Sequence, residues 1–194
     1  DSDVSVPLDQ RSSWQLYKCH LIDSGFKHDA VEEIEKATIA LLRRLNRDTT
    51  LAGPIKGLVI GHVQSGKTAN MAALMAMAGD WGWNFFIVLS GTIENLRKQT
   101  QSRLLRDLNR PGNLYWQGLE HLSKKCTLES RLQELRLEEE SPNRYFTVCL
   151  KNVSRLKKLN EWLYTDKNKL QQIKMIIIDD EADQASINTA DIAA

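Results

Sequence analysis

An α/β fold is predicted: a mostly parallel sheet between two layers of helices, with a helical segment ahead of it. Three observations predict it. Short apolar runs alternate with amphipathic stretches from residue 57 to residue 179, and strands joined through helices run parallel with right-handed crossovers. A glycine-containing turn, GHVQSGKT at residues 61–68, stands between one such run and a helix. The last run, KMIIID at 174–179, leads straight into the acidic stretch DDEAD at 179–183.

The chain has 194 residues, 42% hydrophobic and 26% charged, enough to bury a core. The net charge is +1, so any nucleic-acid contact must come from a local patch and not from the global field. Three cysteines (Cys19, Cys126, Cys149) without a CxxC argue for reduced thiols and against a disulfide scaffold or zinc site. No signal peptide, lipidation motif or apolar run near 18 residues is present, and a cytoplasmic protein without membrane association is expected.

Residues 1–54 read as an N-terminal helical segment. Residues 14–22 suit a short helix, broken by Ser24 and Gly25. Residues 29–46 carry Val31, Ile34, Thr38, Leu41, Leu42 and Leu45 on one face, with Asp29 as cap, Glu32 and Glu33 at the start and Arg43 and Arg44 at the end. The segment either packs on the following lobe or offers Trp14 or Tyr17 to stack on an adenine. Residues 47–54 form a linker.

The first strand is expected at 57–60 (GLVI), followed by the turn and a helix over 68–78 of small and flexible apolar residues. The second strand is expected at 84–90 (NFFIVLS). A helix over 94–109 follows, with Leu96, Leu104, Leu105 and Leu108 inward and Arg97, Lys98, Arg103 and Arg106 as its basic residues. Residues 114–140 are more polar, with a helix over 130–140 turning Leu132, Leu135 and Leu137 inward. The third strand is expected at 145–150 (YFTVCL), with Cys149 in the core. A helix over 153–164 then carries Leu156, Leu159, Trp162 and Leu163. The fourth strand, 174–179, is almost wholly apolar, as a strand covered on both faces should be.

The turn fits G-x-x-x-x-G-K-[ST], the phosphate-binding loop. Gly61, His62, Val63, Gln64, Ser65 and Gly66 would turn their backbone N–H groups toward phosphate oxygens, and glycine lets the backbone come close. Lys67 would reach the β- and γ-phosphates and Thr68 would place its hydroxyl on Mg²⁺. The helix that follows adds its positive dipole end. His62 and Gln64 either sense the γ-phosphate or pack.

Parallel strands share a direction, so the acidic strand end lies at the same sheet edge as the phosphate loop, where ligands of such sheets bind. An apolar strand ending in carboxylates supplies a metal ligand and a base that polarises the attacking water. Asp180 is assigned to the metal, with Asp179 as its rival, and Glu181 to general base. ATP and Mg²⁺ are the implied ligands. A GTPase is disfavoured, because Asn168-Lys169-Leu170-Gln171 lacks the aspartate of a guanine-reading N-K-x-D.

Asp180 to Asp183 reads DEAD. With GHVQSGKT, the chain resembles the first RecA-like lobe of superfamily 2 helicases and translocases. TIENLRKQ at 92–99 resembles the superfamily segment that opens a helix beside a nucleic-acid backbone. Residues 145–156 match the next strand and turn. IGHVQSGKTANM, IVLSGTIENLRKQTQSRL and IIIDDEADQASINT look like the Z1 domain, found in bacterial proteins described as endonuclease candidates, often near DNA methyltransferases in restriction-type or defence operons. The resemblance covers residues 14–189. It implies that residues 55–194 are a three-layer, P-loop NTPase lobe of the RecA-like kind, an ATPase acting on DNA, with Thr92, Arg97, Lys98 and Asn152 on the phosphates. It implies partners in DNA, a DNA methyltransferase or other defence proteins. A superfamily 2 motor also needs a second RecA-like lobe, expected elsewhere in a longer protein. No D…E-x-K nuclease cluster is found. A nucleotide-dependent switch or scaffold that does not translocate is the alternative.

Overall fold

The computed structural model describes residues 4–45, 55–56, 66–122, 127–128 and 130–180. The strand expected at 57–60, loop residues 61–65 and the chain from Glu181 onward lie outside them. Six α-helices are found among the described residues: α1 (Ser13–Asp23), α2 (His28–Leu42), α3 (Lys67–Asp80), α4 (Glu94–Leu108), α5 (Val153–Leu163) and α6 (Lys167–Gln172). The strands are β1 (Phe85–Ser90), β2 (Tyr115–Gly118), β3 (His121–Leu122), β4 (Thr127–Leu128), β5 (Asn143–Leu150) and β6 (Met175–Asp179). Four of them form an all-parallel sheet in the order β2-β5-β1-β6, and β3 and β4 make a small antiparallel pair.

Side-chain alternation along the strands builds two cores. Phe86, Val88, Phe146, Val148 and Ile176 enter a cluster with α1, α2, α3 and α4. Phe85, Ile87, Tyr145 and Cys149 enter a second, with Leu159 and Trp162 of α5. Successive strand residues point to opposite faces, so near-continuous apolar runs such as FFIVLS demand cover on both sides. The fold is α/β with helices on both faces of a parallel sheet. Burial pushes the Cys149 thiol up to about 11, which marks it as an inert core residue.

The central helix is α3. Ala72, Ala73, Met75, Ala76, Met77 and Ala78 are all fully buried, as in a helix apolar all round. It lies against α1 and α2, and its small residues let neighbours approach. A Cβ on Gly79 would stand 2.9 Å from the Trp116 ring. The Trp116 indole donates to Ser13 Oγ (2.9 Å), and Arg144 donates to the Gly79 carbonyl (2.9 Å). Trp14 is fully buried, with its indole N–H donating to Glu35 (2.7 Å), and Tyr17 is buried too. Both therefore serve the packing alternative and are closed to an adenine ring.

Asp80 ties α1 to α3 by accepting from the Ser13 and Trp14 backbone N–H groups at 2.8 and 2.9 Å. Burial pushes its carboxyl up to about 6, against the lowering pull of those N–H groups and of Arg144. A raised carboxylate pKa means the folded state binds the extra proton between about pH 4 and pH 6. Its contribution to stability therefore increases as pH falls through that window. We expect the melting temperature of the parent minus that of Asp80→Asn to grow from pH 7 to pH 5. A difference that shrinks would show that the N–H donors and Arg144 hold Asp80 ionised.

Several expectations are corrected. Leu96 is 50% exposed while Arg97 and Gln101 are buried, so the inner face of α4 is partly polar. Leu156 of α5 is likewise exposed. Leu132, Leu135 and Leu137 are buried, but only Leu132–Glu134 is helical, as a single 3-10 turn. Their uneven spacing serves an irregular segment under the sheet. The β6 residue Ile177 is 58% exposed, because among the described residues β6 pairs on one side only, with β1. Helix α2 starts at His28 with Lys27 as a cap that makes no side-chain bond, and Asp29 sits inside its first turn. The strand β2 and helix α6 were not anticipated.

Candidate nucleotide site and its acidic edge

Gly66 has φ of +119° and occupies the N-cap of α3. That left-handed conformation suits glycine and disfavours other residues. It delivers Lys67 and Thr68 into the first helical turn, where backbone N–H groups have no helical acceptor. The Gly66 carbonyl accepts from the Asn70 backbone N–H (2.7 Å) and side chain (3.0 Å). Lys67 is exposed, and Thr68 Oγ1 accepts from Arg103 at 3.5 Å. Gly61, His62, Val63, Gln64 and Ser65 lie outside the described residues.

At the C-terminal edge of the sheet three strand ends are tied together. The Lys151 backbone N–H donates to the carbonyls of Ser90 (3.1 Å) and Gly91 (3.3 Å). Its ammonium reaches Asp179 Oδ1 at 2.5 Å. The Asp180 N–H donates to the Leu89 carbonyl at 2.9 Å, extending the β1–β6 ladder by one residue. Glu181 and Asp183 lie outside the described residues. No hydrogen bond or ion pair joins Lys67 or Thr68 to Asp179 or Asp180 among the described residues. Nor does any group of three His, Cys, Asp or Glu side chains there stand ready for a metal.

The four residues expected on a nucleic-acid backbone divide. Thr92 and Lys98 are exposed at the start of α4, beside the sheet edge. Asn152 is exposed, but its side-chain oxygen caps α5 by accepting from the Arg155 N–H at 2.9 Å. Arg97 is corrected: it is 1% exposed. Its guanidinium donates to Glu94 (3.0 Å), Glu120 (3.0 Å) and the Val148 carbonyl (3.2 Å). Burial pushes the Glu94 carboxyl up, but the hydrogen bonds and charge of Arg97, with Arg155 and Lys98 beyond, outweigh it and hold Glu94 below its ordinary value. Truncating Arg97 to alanine removes the buried guanidinium that both carboxylates share. Because both are partly exposed, we expect a loss of about 2 kcal/mol, below the usual buried-pair figure, read from the urea midpoint. An unmoved midpoint would return Arg97 to the surface.

Lys151 and Arg103 were not anticipated as site residues. A lysine directly after an apolar strand was the available signal for the first. The second reaches Thr68 only through tertiary contact. Comparison with known proteins found no matching family model, no matching curated protein and no matching solved structure. Among the described residues no helix is long and apolar enough to cross a membrane.

Proposed function

We propose that the chain is the ATP-binding, Mg²⁺-dependent lobe of a DNA-acting motor of the superfamily 2, Z1-like kind, working in the cytoplasm in a restriction or defence system. The observation that carries this reading is the sequence GHVQSGKT, whose left-handed Gly66 opens α3, in a parallel α/β fold whose β6 ends at Asp179 with Asp180 directly after it. A second RecA-like lobe would complete the motor, and a DNA methyltransferase or other defence proteins would be its partners. In phosphoryl transfer, positioning and charge neutralisation carry most of the catalysis.

The residues fit the magnesium ion. Thr68 offers a hydroxyl and Asp180 a carboxylate, the hard oxygen donors that Mg²⁺ prefers. Among the described residues the Asp180 carboxylate has no hydrogen-bond or ion-pair partner to give up. Thr68 and Asp180 would hold the ion, which would supply neutralisation of phosphate charge there. Lys67 would hold the β- and γ-phosphates, Glu181 would take the proton from the attacking water, and Thr92, Lys98 and Asn152 would meet the DNA backbone.

The inward turn of Arg97 favours a second reading, a nucleotide-dependent switch or scaffold that grips DNA weakly or not at all. ATP turnover with and without double-stranded DNA separates the two. DNA-stimulated turnover supports the motor, with affinity falling steeply as salt rises. Nucleotide binding with DNA-independent turnover supports the switch. Absence of Mg-ATP binding overturns both.

A further inference from the structure

We propose that Lys151 is a positioning residue that sequesters Asp179 and so leaves Asp180 as the carboxylate of the adjacent pair that faces the nucleotide's cation. The inference rests on the nucleotide-binding reading above and decides between the two aspartates.

Lys151 follows the last residue of β5, and β1 lies between β5 and β6 in the sheet. Its side chain must therefore arch over the end of β1 to reach Asp179. Two backbone hydrogen bonds to Ser90 and Gly91 fix its root there. The Lys151 side chain is only 9% exposed, whereas that of Asp179 is 45% exposed. A pair with one half-exposed partner contributes about 1 kcal/mol or less to stability, so its main effect is on where the carboxylate sits.

The strand alternation gives the direction. Met175, Ile177 and Asp179 share one parity, and Met175 packs with the cluster that holds Cys149 and α5. Lys151 continues the parity of Tyr145 and Cys149 on that same face. Ile176 and Ile178 belong to the opposite face, in the cluster that holds α3. The Asp180 N–H still bonds to Leu89 in the ladder, so alternation puts Asp180 on the face of α3. The first turn of α3 carries Lys67 and Thr68. Lys151 thus holds one aspartate on the far face and leaves the other on the face of the phosphate helix.

The test is the Mg²⁺ concentration giving half-maximal binding of a fluorescent ATP analogue to the full chain, with melting curves to show that each variant is folded. Asp180→Asn should raise that midpoint about tenfold, while Asp179→Asn should move it less than about threefold. In a Lys151→Met background Asp179 is released to substitute, so adding Asp180→Asn should then cost about threefold or less. In a Lys151→Arg background the cost should stay near tenfold. A tenfold cost for Asp179→Asn overturns the assignment. So does a cost of Asp180→Asn that is the same with lysine or methionine at 151. Failure of the underlying reading looks different: the parent itself would show no Mg²⁺-dependent binding, or Lys67→Ala would bind as the parent does.

Discussion

On the proposed reading, Lys67→Ala is expected to raise the Kd for Mg-ATP about a hundredfold, the equivalent of the roughly 3 kcal/mol carried by a hydrogen bond to a charged group at the strong end of its range. The ammonium sits in the first turn of α3, exposed, and has no partner among the described residues. Its removal therefore takes nothing from the core, and the melting temperature of the variant without nucleotide should match the parent. That separates a binding defect from a folding defect. Equilibrium titration of the two proteins, side by side, decides it. Equal affinities would remove the phosphate-loop assignment and with it the ATPase reading.

Glu181→Gln should keep nucleotide binding and lower hydrolysis by about 10² to 10⁴, the range for loss of a positioned general base. Glutamine preserves shape and can hydrogen-bond to water, but it cannot take a proton from it. The preceding residue, Asp180, is anchored to β1 through its backbone N–H. The measurement is single-turnover hydrolysis by a form of the protein that turns over, with binding measured on the same sample. Normal hydrolysis would move the base elsewhere, with Asp183 the next candidate.

What was legible in the sequence follows from what the residues can do alone. FFIVLS, YFTVCL and MIIID are strands because a run of apolar and β-branched residues bounded by turn residues has few other uses, and β1, β5 and β6 sit where those runs do. Helix α3 was legible from its small apolar residues after a glycine turn. Arg97 was not. Helical spacing ranks residues by polarity, and nothing local announces that a guanidinium will turn inward to Glu120 and the Val148 carbonyl, both distant in sequence. Strand β2 was missed because four residues, YWQG, are too few to show a period. The exposure of Ile177 depends on which strands stand beside β6. Of the candidate site, the glycine that opens α3, with Lys67 and Thr68 after it, and the aspartates at the end of β6 could be placed from spacing. The hold of Lys151 on Asp179 could not, because it joins strand ends that are not neighbours in the sheet.

The strand order also sets a hazard during synthesis. Strand β1 lies between β5 and β6 in space, yet both follow it in the chain, at residues 143–150 and 175–179. While the intervening residues are being added, Phe85–Ser90 has left the ribosome with both hydrogen-bonding edges unsatisfied. It is a six-residue segment with no charge, proline or glycine, the composition that stacks between chains when left open. At translation rates of roughly 5–20 residues per second, the segment waits several seconds for its first partner. The crowding of α1, α2 and α3 around one another, all available earlier, can bury one face of it in that interval but cannot satisfy its edges. Yield in a cell would then depend on chaperone supply more than on the final stability of the fold.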